Sequence, residues 1–466
     1  MSENKLMYDV LKTKFEESCD IEEHHTHYCD FGGLSEFKRG IADLFDHMMK
    51  PVEPVDPSNL LILNGCCSVV EALTTVLTDP GEGILIPSPY YGGFDADLSI
   101  RAQAVPYPVY LSSKPEPGQT QPFELTVDQL ERAMKHAKEQ GVTIRCLLLT
   151  NPNNPLGNIY SVQQLQSYLD FAHRHSLHVI LDEIYTLSIF KEGHSMKSIL
   201  SFTNIPDRQR LHVVWGFSKD FGISGFRCGV LHTWNKQILD ALKWVAYFQS
   251  VPTSTQCLLM KIVKDIEWID HVFVPTNHRR LLECYGIVCD GLRKAGIPYV
   301  DSCAGLFIWV DLREFIPSGT FKEELSVYHT ILEHKVNINP GQSFHFNEPG
   351  WFRIVFATDS QELRLGMERL LSCLEHIRQE VAKKKQKLEQ TEVDCHDSGP
   401  ISTLTDVMQK DEACAMESSS LEDLARTLCS HIRNSNWLEI NNAEKWTKEN
   451  PELAKAFTDS IDDKNK

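Results

Sequence analysis

The sequence predicts an α/β protein: a mostly parallel sheet buried between helices, followed by a smaller α+β unit. Three observations lead there. From residue 60 onward short apolar runs alternate with amphipathic helical stretches, beginning with LLIL at 60–63. The runs carry no polar face, as befits strands covered by helices on both sides. The turns behind them are dense in Gly, Pro and Asn, as in NGCCS, PSPYYGGF and NPNNPLG.

In chain order, Leu6, Val10 and Leu11 stand at helical spacing near the start, and a polar loop covers 24–30. A helix follows over 34–49, ended by Pro51, Pro54 and Pro57. Strands are expected at 60–63, 83–86, 105–110, 146–150, 179–182 and 212–215, with helices at 69–77 and 162–175. A helix at 236–250 opens a helical region that continues to 292. Apolar runs at 307–310, 336–338 and 352–355 form the smaller unit, closed by a helix over 362–387. Residues 388–420 are polar and read as a linker. Beyond it Ser419 and Glu422 make a capping box, and Leu421, Leu424, Leu428 and Ile432 line one helical face, a docking helix for a protein partner. The expected domains are 35–268 (large), 269–388 (small, joined by 1–34) and 389–466 (linker and tail).

A chain of 466 residues exceeds what one core serves. Its net charge of −18 argues against a nucleic-acid surface. No apolar run reaches the roughly 18 residues of a membrane span. Fourteen scattered cysteines without a secretory start point to reduced thiols and a cytoplasmic protein. The pair Cys66–Cys67 and the group His24, His25 and His27 lack metal-finger spacing, so loops are expected there and no metal.

The chemistry centres on WGFSKDFGISGFRCG at 215–229. Its glycines mark backbone in unusual conformation or close to a ligand. A lysine buried in such a loop, here Lys219, is a nucleophile suited to forming a Schiff base with an aldehyde. Other strand-end turns supply companions. NGCCS opens a helix whose first amides suit an anion. Tyr91 can stack on a planar ring. Asn154 sits in a rigid Asn-Pro turn, and DEIY presents Asp182 and Tyr185. Singly these are turns, core aromatics and helix caps. In this order, followed by Ser218, Lys219 and Arg227, they describe one site.

Through PYYGGFD, NPNNPLG, DEIY, SKDFGISGFR and GWFRIVF, from SENKL to about residue 380, the chain resembles fold-type I pyridoxal 5′-phosphate (PLP) enzymes of the aspartate-aminotransferase superfamily. Within them it is similar to the animal 1-aminocyclopropane-1-carboxylate (ACC) synthase-like proteins. The resemblance implies a seven-stranded sheet in the large domain, PLP as cofactor, an amino-acid substrate and a homodimer with shared active sites. It makes Lys219 the Schiff-base residue and general base, Asp182 the partner of the ring nitrogen, and Tyr185 and Asn154 the hydrogen-bond partners of the ring oxygen. Tyr91 becomes the stacking aromatic. Ser218, Arg227 and the Cys66–Cys67–Ser68 turn become the phosphate site. Arg353 is matched to the α-carboxylate clamp, and Glu3 to a group near the substrate amine. Phe31 stands where the synthases place a substrate-site tyrosine from the other subunit, and Gly216 where a phosphate-binding serine is usual. The chain begins at SENKL, so an N-terminal arm is expected to be missing. These departures favour transamination, or elimination with deamination, over ACC formation from S-adenosylmethionine. The alternative is a catalytically degenerate PLP-fold protein with a binding or regulatory role.

Overall fold

A computed structural model describes residues 5–16, 22–115, 119 and 121–396, with backbone alone for Lys5 and for 384–396. Glu3 and the capping box at Ser419 and Glu422 lie outside the described residues. The chain divides after Lys385, and the two sheets and the site belong to the unit before that point.

Seven strands form the main sheet: β1 (Leu60–Leu63), β2 (Gly83–Ser88), β3 (Val105–Tyr110), β4 (Ile144–Thr150), β5 (His178–Asp182), β6 (Leu211–Gly216) and β7 (Gly229–Thr233). Their order is β1-β7-β6-β5-β4-β2-β3. Only β7 runs against the rest, pairing antiparallel with β1 on one side and β6 on the other. Residues of β1, β2 and β6 are buried throughout, which is why their sequence shows no alternation. β3, at the edge, alternates exposed and buried positions. Buried side chains cover both faces, with Trp215, Phe45 and Phe217 on one and Val69, Leu73 and Leu242 on the other. At roughly 1.5–3 kcal/mol per buried large aliphatic or aromatic side chain, this two-sided burial dominates the sheet's stability.

The smaller sheet has three antiparallel strands in the order β8-β10-β9: β8 (Phe307–Asp311), β9 (Asn339–Pro340) and β10 (Trp351–Val355). Its core holds Phe307, Ile308, Phe352 and the inner face of the last helix, Ser360–His396.

Several elements differ from expectation. β7 was not anticipated, because GVLHT offers two aliphatics before two polar residues. Those polar residues are nevertheless buried, and His212 Nδ1 lies 2.9 Å from Thr233 Oγ1 across the pair. The third strand of the small sheet pairs at 339–340 and not at 336–338, since an apolar run reports burial and not hydrogen bonding. Helices Val127–Glu139 and Phe321–Glu333 are further additions, both started by a threonine side chain accepting an amide, as N-caps do. The last helix continues past 387 into the expected linker, where Leu388, Glu389 and Gln390 are good helix formers.

Candidate active site

The helix expected at 69–77 begins three residues earlier, at Cys66. That shift brings Cys66, Cys67 and Ser68 out of a turn and into the first turn of a helix pointed at the carboxyl ends of the parallel strands. β4 ends at Thr150, β5 at Asp182 and β6 at Gly216. Because β7 is reversed, its beginning lies at the same edge and delivers Arg227 there. One cavity at this edge is lined by Cys66, Cys67, Tyr91, Asn154, Asp182, Tyr185, Ser218, Lys219 and Arg227.

One end of the cavity suits an anion. The helix Cys66–Leu77 starts at Gly65, with φ +90° and no side-chain cap, so its first amides are left for a ligand. A Cβ at Gly65 would collide with the Arg227 guanidinium, so this glycine serves both conformation and space. Arg227, itself left-handed at φ +49°, donates from Nη1 to Ser224 O (3.1 Å) and from Nη2 to Asn64 O (3.3 Å). Ser68 Oγ donates to Asn64 O at 3.1 Å and does not line the cavity. Burial pushes the Cys66 thiol well above its usual range. Burial, with Asp97 beside it, pushes Cys67 up to about 11, so both cysteines stay neutral thiols at physiological pH.

The other end suits a heterocycle. Asp182 is buried, and its Oδ1 accepts the Ile184 amide at 3.2 Å. Burial pushes its carboxyl up to about 7, against the opposing pull of the Lys219 charge. Burial also raises Tyr185, keeping it a phenol, and its hydroxyl accepts from Asn154 Nδ2 at 3.3 Å. Asn154 Oδ1 in turn accepts from Arg353 Nη1 at 2.9 Å, while Arg353 Nη2 donates to Asn339 Oδ1 at 3.2 Å. Arg353 comes from β10, lies 4.6 Å from the Phe344 ring centroid and 5.2 Å from that of Phe307, and leaves a buried Nε without a partner among the described residues. Tyr91 packs edge-on against Phe94, with centroids 5.5 Å apart.

Phe31 is not among the cavity's lining residues; its ring meets Tyr247 at 4.9 Å and Tyr28 at 6.3 Å. Two acids escaped the sequence reading. Asp97, on the short helix Phe94–Ser99, lines the cavity. Asp220, next to Lys219, accepts from Trp215 Nε1 (2.9 Å), Ser188 Oγ (3.0 Å) and Leu187 N (2.9 Å), tying the lysine's loop to the segment behind Tyr185. Burial pushes Asp220 up to about 8. The position directly after Lys219 was its only signal in the sequence.

Away from the cavity, His24, His25 and Glu36 come together, with ligand-capable atoms within 4.8 Å of one another. His25 Nδ1 accepts the Glu22 amide at 3.0 Å, so its Nε2 carries the proton donated to Glu36 Oε1 at 2.9 Å. Both ring nitrogens are thereby committed to protein partners.

An uncapped helix start beside Arg227, a buried acid, a phenol–amide pair and a stacking ring together suit a phosphorylated, nitrogen-containing aromatic aldehyde, with Lys219 as the amine to hold it. On this sheet, such a site defines a fold-type I PLP enzyme. The chain belongs to the class I and II aminotransferase family, which it matches over residues 1–370, and the cofactor of that family is pyridoxal 5′-phosphate. It is 41% identical over 376 residues to the 1-aminocyclopropane-1-carboxylate synthase-like protein 1 of Bos taurus, covering 80% of this chain and 75% of that one. It is 42% identical over 377 residues to the probable inactive 1-aminocyclopropane-1-carboxylate synthase-like protein 2 of Homo sapiens, covering 80% and 66%. Among solved structures, the aromatic aminotransferase of Pyrococcus horikoshii superposes with a TM-score of 0.66 at 26% identity, covering 79% of this chain and 92% of that one. Among the described residues no helix is long and apolar enough to cross a membrane.

Proposed function

We propose that the protein is a PLP-dependent enzyme acting at Cα of a small amino acid, by transamination or by elimination with deamination, and that it works as a homodimer. The observation that carries this is the gathering of Asn154, Asp182, Tyr185, Lys219 and Arg227 around one cavity, with Arg353 bonded to Asn154.

PLP, when bound, supplies an electron sink for negative charge at Cα. The chain's own groups do the rest. The guanidinium fork of Arg353 takes the substrate carboxylate in two parallel hydrogen bonds, exchanging its asparagine oxygens for charged ones. The Lys219 amine removes the Cα proton and returns it. Asp182 would keep the ring nitrogen protonated, and Tyr185 and Asn154 would donate to the ring oxygen. The first amides of helix Cys66–Leu77, with Ser218 and Arg227, would hold the phosphate. The ten cysteines with described side chains are free thiols, which supports a cytoplasmic setting.

Self-association is supported by the helix Lys236–Gln249, which exposes Trp244 (83%), Phe248 (83%) and Tyr247 (59%) beside Tyr28 and Phe31. An aromatic patch of this kind marks an interface, and a second copy would also let Phe31 reach a neighbouring cavity.

The second reading, a degenerate PLP-binding protein, is favoured by Phe31 and Gly216, each lacking a hydroxyl, and by a relative named probable inactive. The visible absorption of the purified protein tests the first reading. A band that vanishes in Lys219→Ala and shifts with an amino acid supports it; no band in either protein overturns it. A stable band with no turnover across an amino-acid panel would leave only the degenerate reading. With S-adenosylmethionine, no cyclopropane product is expected.

A further inference from the structure

A second buried carboxyl faces the cavity besides Asp182. Asp97 is 9% exposed, and the Cys67 thiol is its hydrogen-bond neighbour. Its Oδ2 has no partner among the described residues. Cys67 belongs to the helix turn at the anion-binding end, which places the Asp97 carboxyl beside that turn.

The charges around Asp97 decide what it can do there. Glu71, from the helix Cys66–Leu77, and Asp182 add negative charge, while Arg227 supplies the nearby positive charge and donates to the backbone oxygens of Ser224 and Asn64. An ionised carboxylate facing a phosphate would repel it; a neutral carboxylic acid would donate to it. Burial already pushes Asp97 up to about 7. An arriving anion raises it further. Beside the helix amides, Ser218 and Arg227, one hydroxyl donor is missing, because Gly216 has none and Cys66 and Cys67 offer only weak thiol donors.

We propose that Asp97 is protonated when the cofactor binds and donates its O–H to the cofactor phosphate, replacing the serine hydroxyl that Gly216 lacks. The proposal rests on the PLP reading above. It requires proton uptake with binding once the pH is high enough for free Asp97 to be ionised.

The test compares PLP with pyridoxal, which lacks the phosphate, titrated into full-length apoprotein from pH 6 to 9 and followed by tryptophan fluorescence. Wild type, Asp97→Asn and Asp97→Ala are measured side by side. The wild-type dissociation constant for PLP is expected to climb more steeply above neutrality than that of Asp97→Asn, which keeps an N–H donor and no titrating proton. Asp97→Ala is expected to weaken PLP by roughly tenfold near neutrality, the scale of one hydrogen bond, with pyridoxal changed less than about twofold. Identical PLP binding and pH dependence in all three proteins overturns the proposal. So does equal weakening of PLP and pyridoxal by Asp97→Ala, which marks a merely structural acid. Failure of the PLP reading would look different, with wild type binding neither compound, and would overturn both.

Discussion

A Cβ on Gly216 would stand 2.7 Å from the Sγ of Cys66 and 2.8 Å from the carbonyl of Cys228. The thiol thus fills the volume that a residue-216 side chain would need, and the two positions are one structural choice. Gly216→Ser is therefore expected to destabilise the protein by about 1–3 kcal/mol through overpacking. Shortening the neighbour in Gly216→Ser/Cys66→Ala recovers only the part due to the thiol, since the Cys228 carbonyl still stands 2.8 Å from the new Cβ. Chemical denaturation of the three proteins checks this, and additive losses would contradict shared space.

Arg353 pairs with neutral asparagine oxygens in the absence of substrate. Arg353→Lys keeps the charge and loses the planar fork. KM for the amino acid is expected to rise by roughly tenfold to a hundredfold, about 1.4–2.7 kcal/mol, while PLP affinity stays unchanged. Steady-state kinetics beside a cofactor titration separates the two effects.

Stability of the apoprotein is expected to fall as pH rises above about 6.5. Burial lowers His178 to about 4, His212 to about 3 and His232 to about 4, from 6.5. The unfolded chain binds those protons more readily, so their stabilisation is present above 6.5 and lost as pH falls. Burial raises Asp182 to about 7 and Asp220 to about 8, from 3.8. Their stabilisation is complete below about 3.8 and lost as pH rises through 7–8. Between about pH 4 and 6.5 the two slopes oppose each other; above 6.5 the histidine contribution is complete and only the loss from the acids remains. Thermal unfolding should show the alkaline fall flattened in Asp182→Asn and, under the proposed role of Asp182 as partner of the ring nitrogen, in the PLP-loaded protein.

Trp244 and Phe248 are mostly exposed, so charged residues there leave the fold intact. Trp244→Asp/Phe248→Asp is expected to sediment as a monomer with an unchanged circular dichroism spectrum. Loss of turnover with retained monomer fold would show that the sites are shared between copies.

Strand-end motifs made most of the site legible in the sequence. Asn154, Asp182, Tyr185 and Lys219 each follow a fully apolar run, and runs such as 146–150 advertise both strand and end. Asp97 and Asp220 carried no comparable sign, because what makes them notable is burial against residues distant in the chain. The helix start at Cys66 was missed because a Gly-Cys-Cys-Ser segment lacks both a side-chain cap and an apolar period. β7 was hidden for a related reason: His232 and Thr233 read as surface residues until the partners across the sheet, His212 and Leu211, are known.

The reversed direction of β7 has a mechanical consequence. Gly216 and Gly229 face each other in register, so Lys219 and Arg227 hang on the single hairpin between them. Bringing these two together closes only a short loop, whereas Asp182 and Asn154 must be recruited from other crossovers. Lys219 and Arg227 therefore move as one piece. A length change within 217–228 would displace both at once, while changes elsewhere in the sheet could shift Asp182 and Asn154 without separating Lys219 from Arg227.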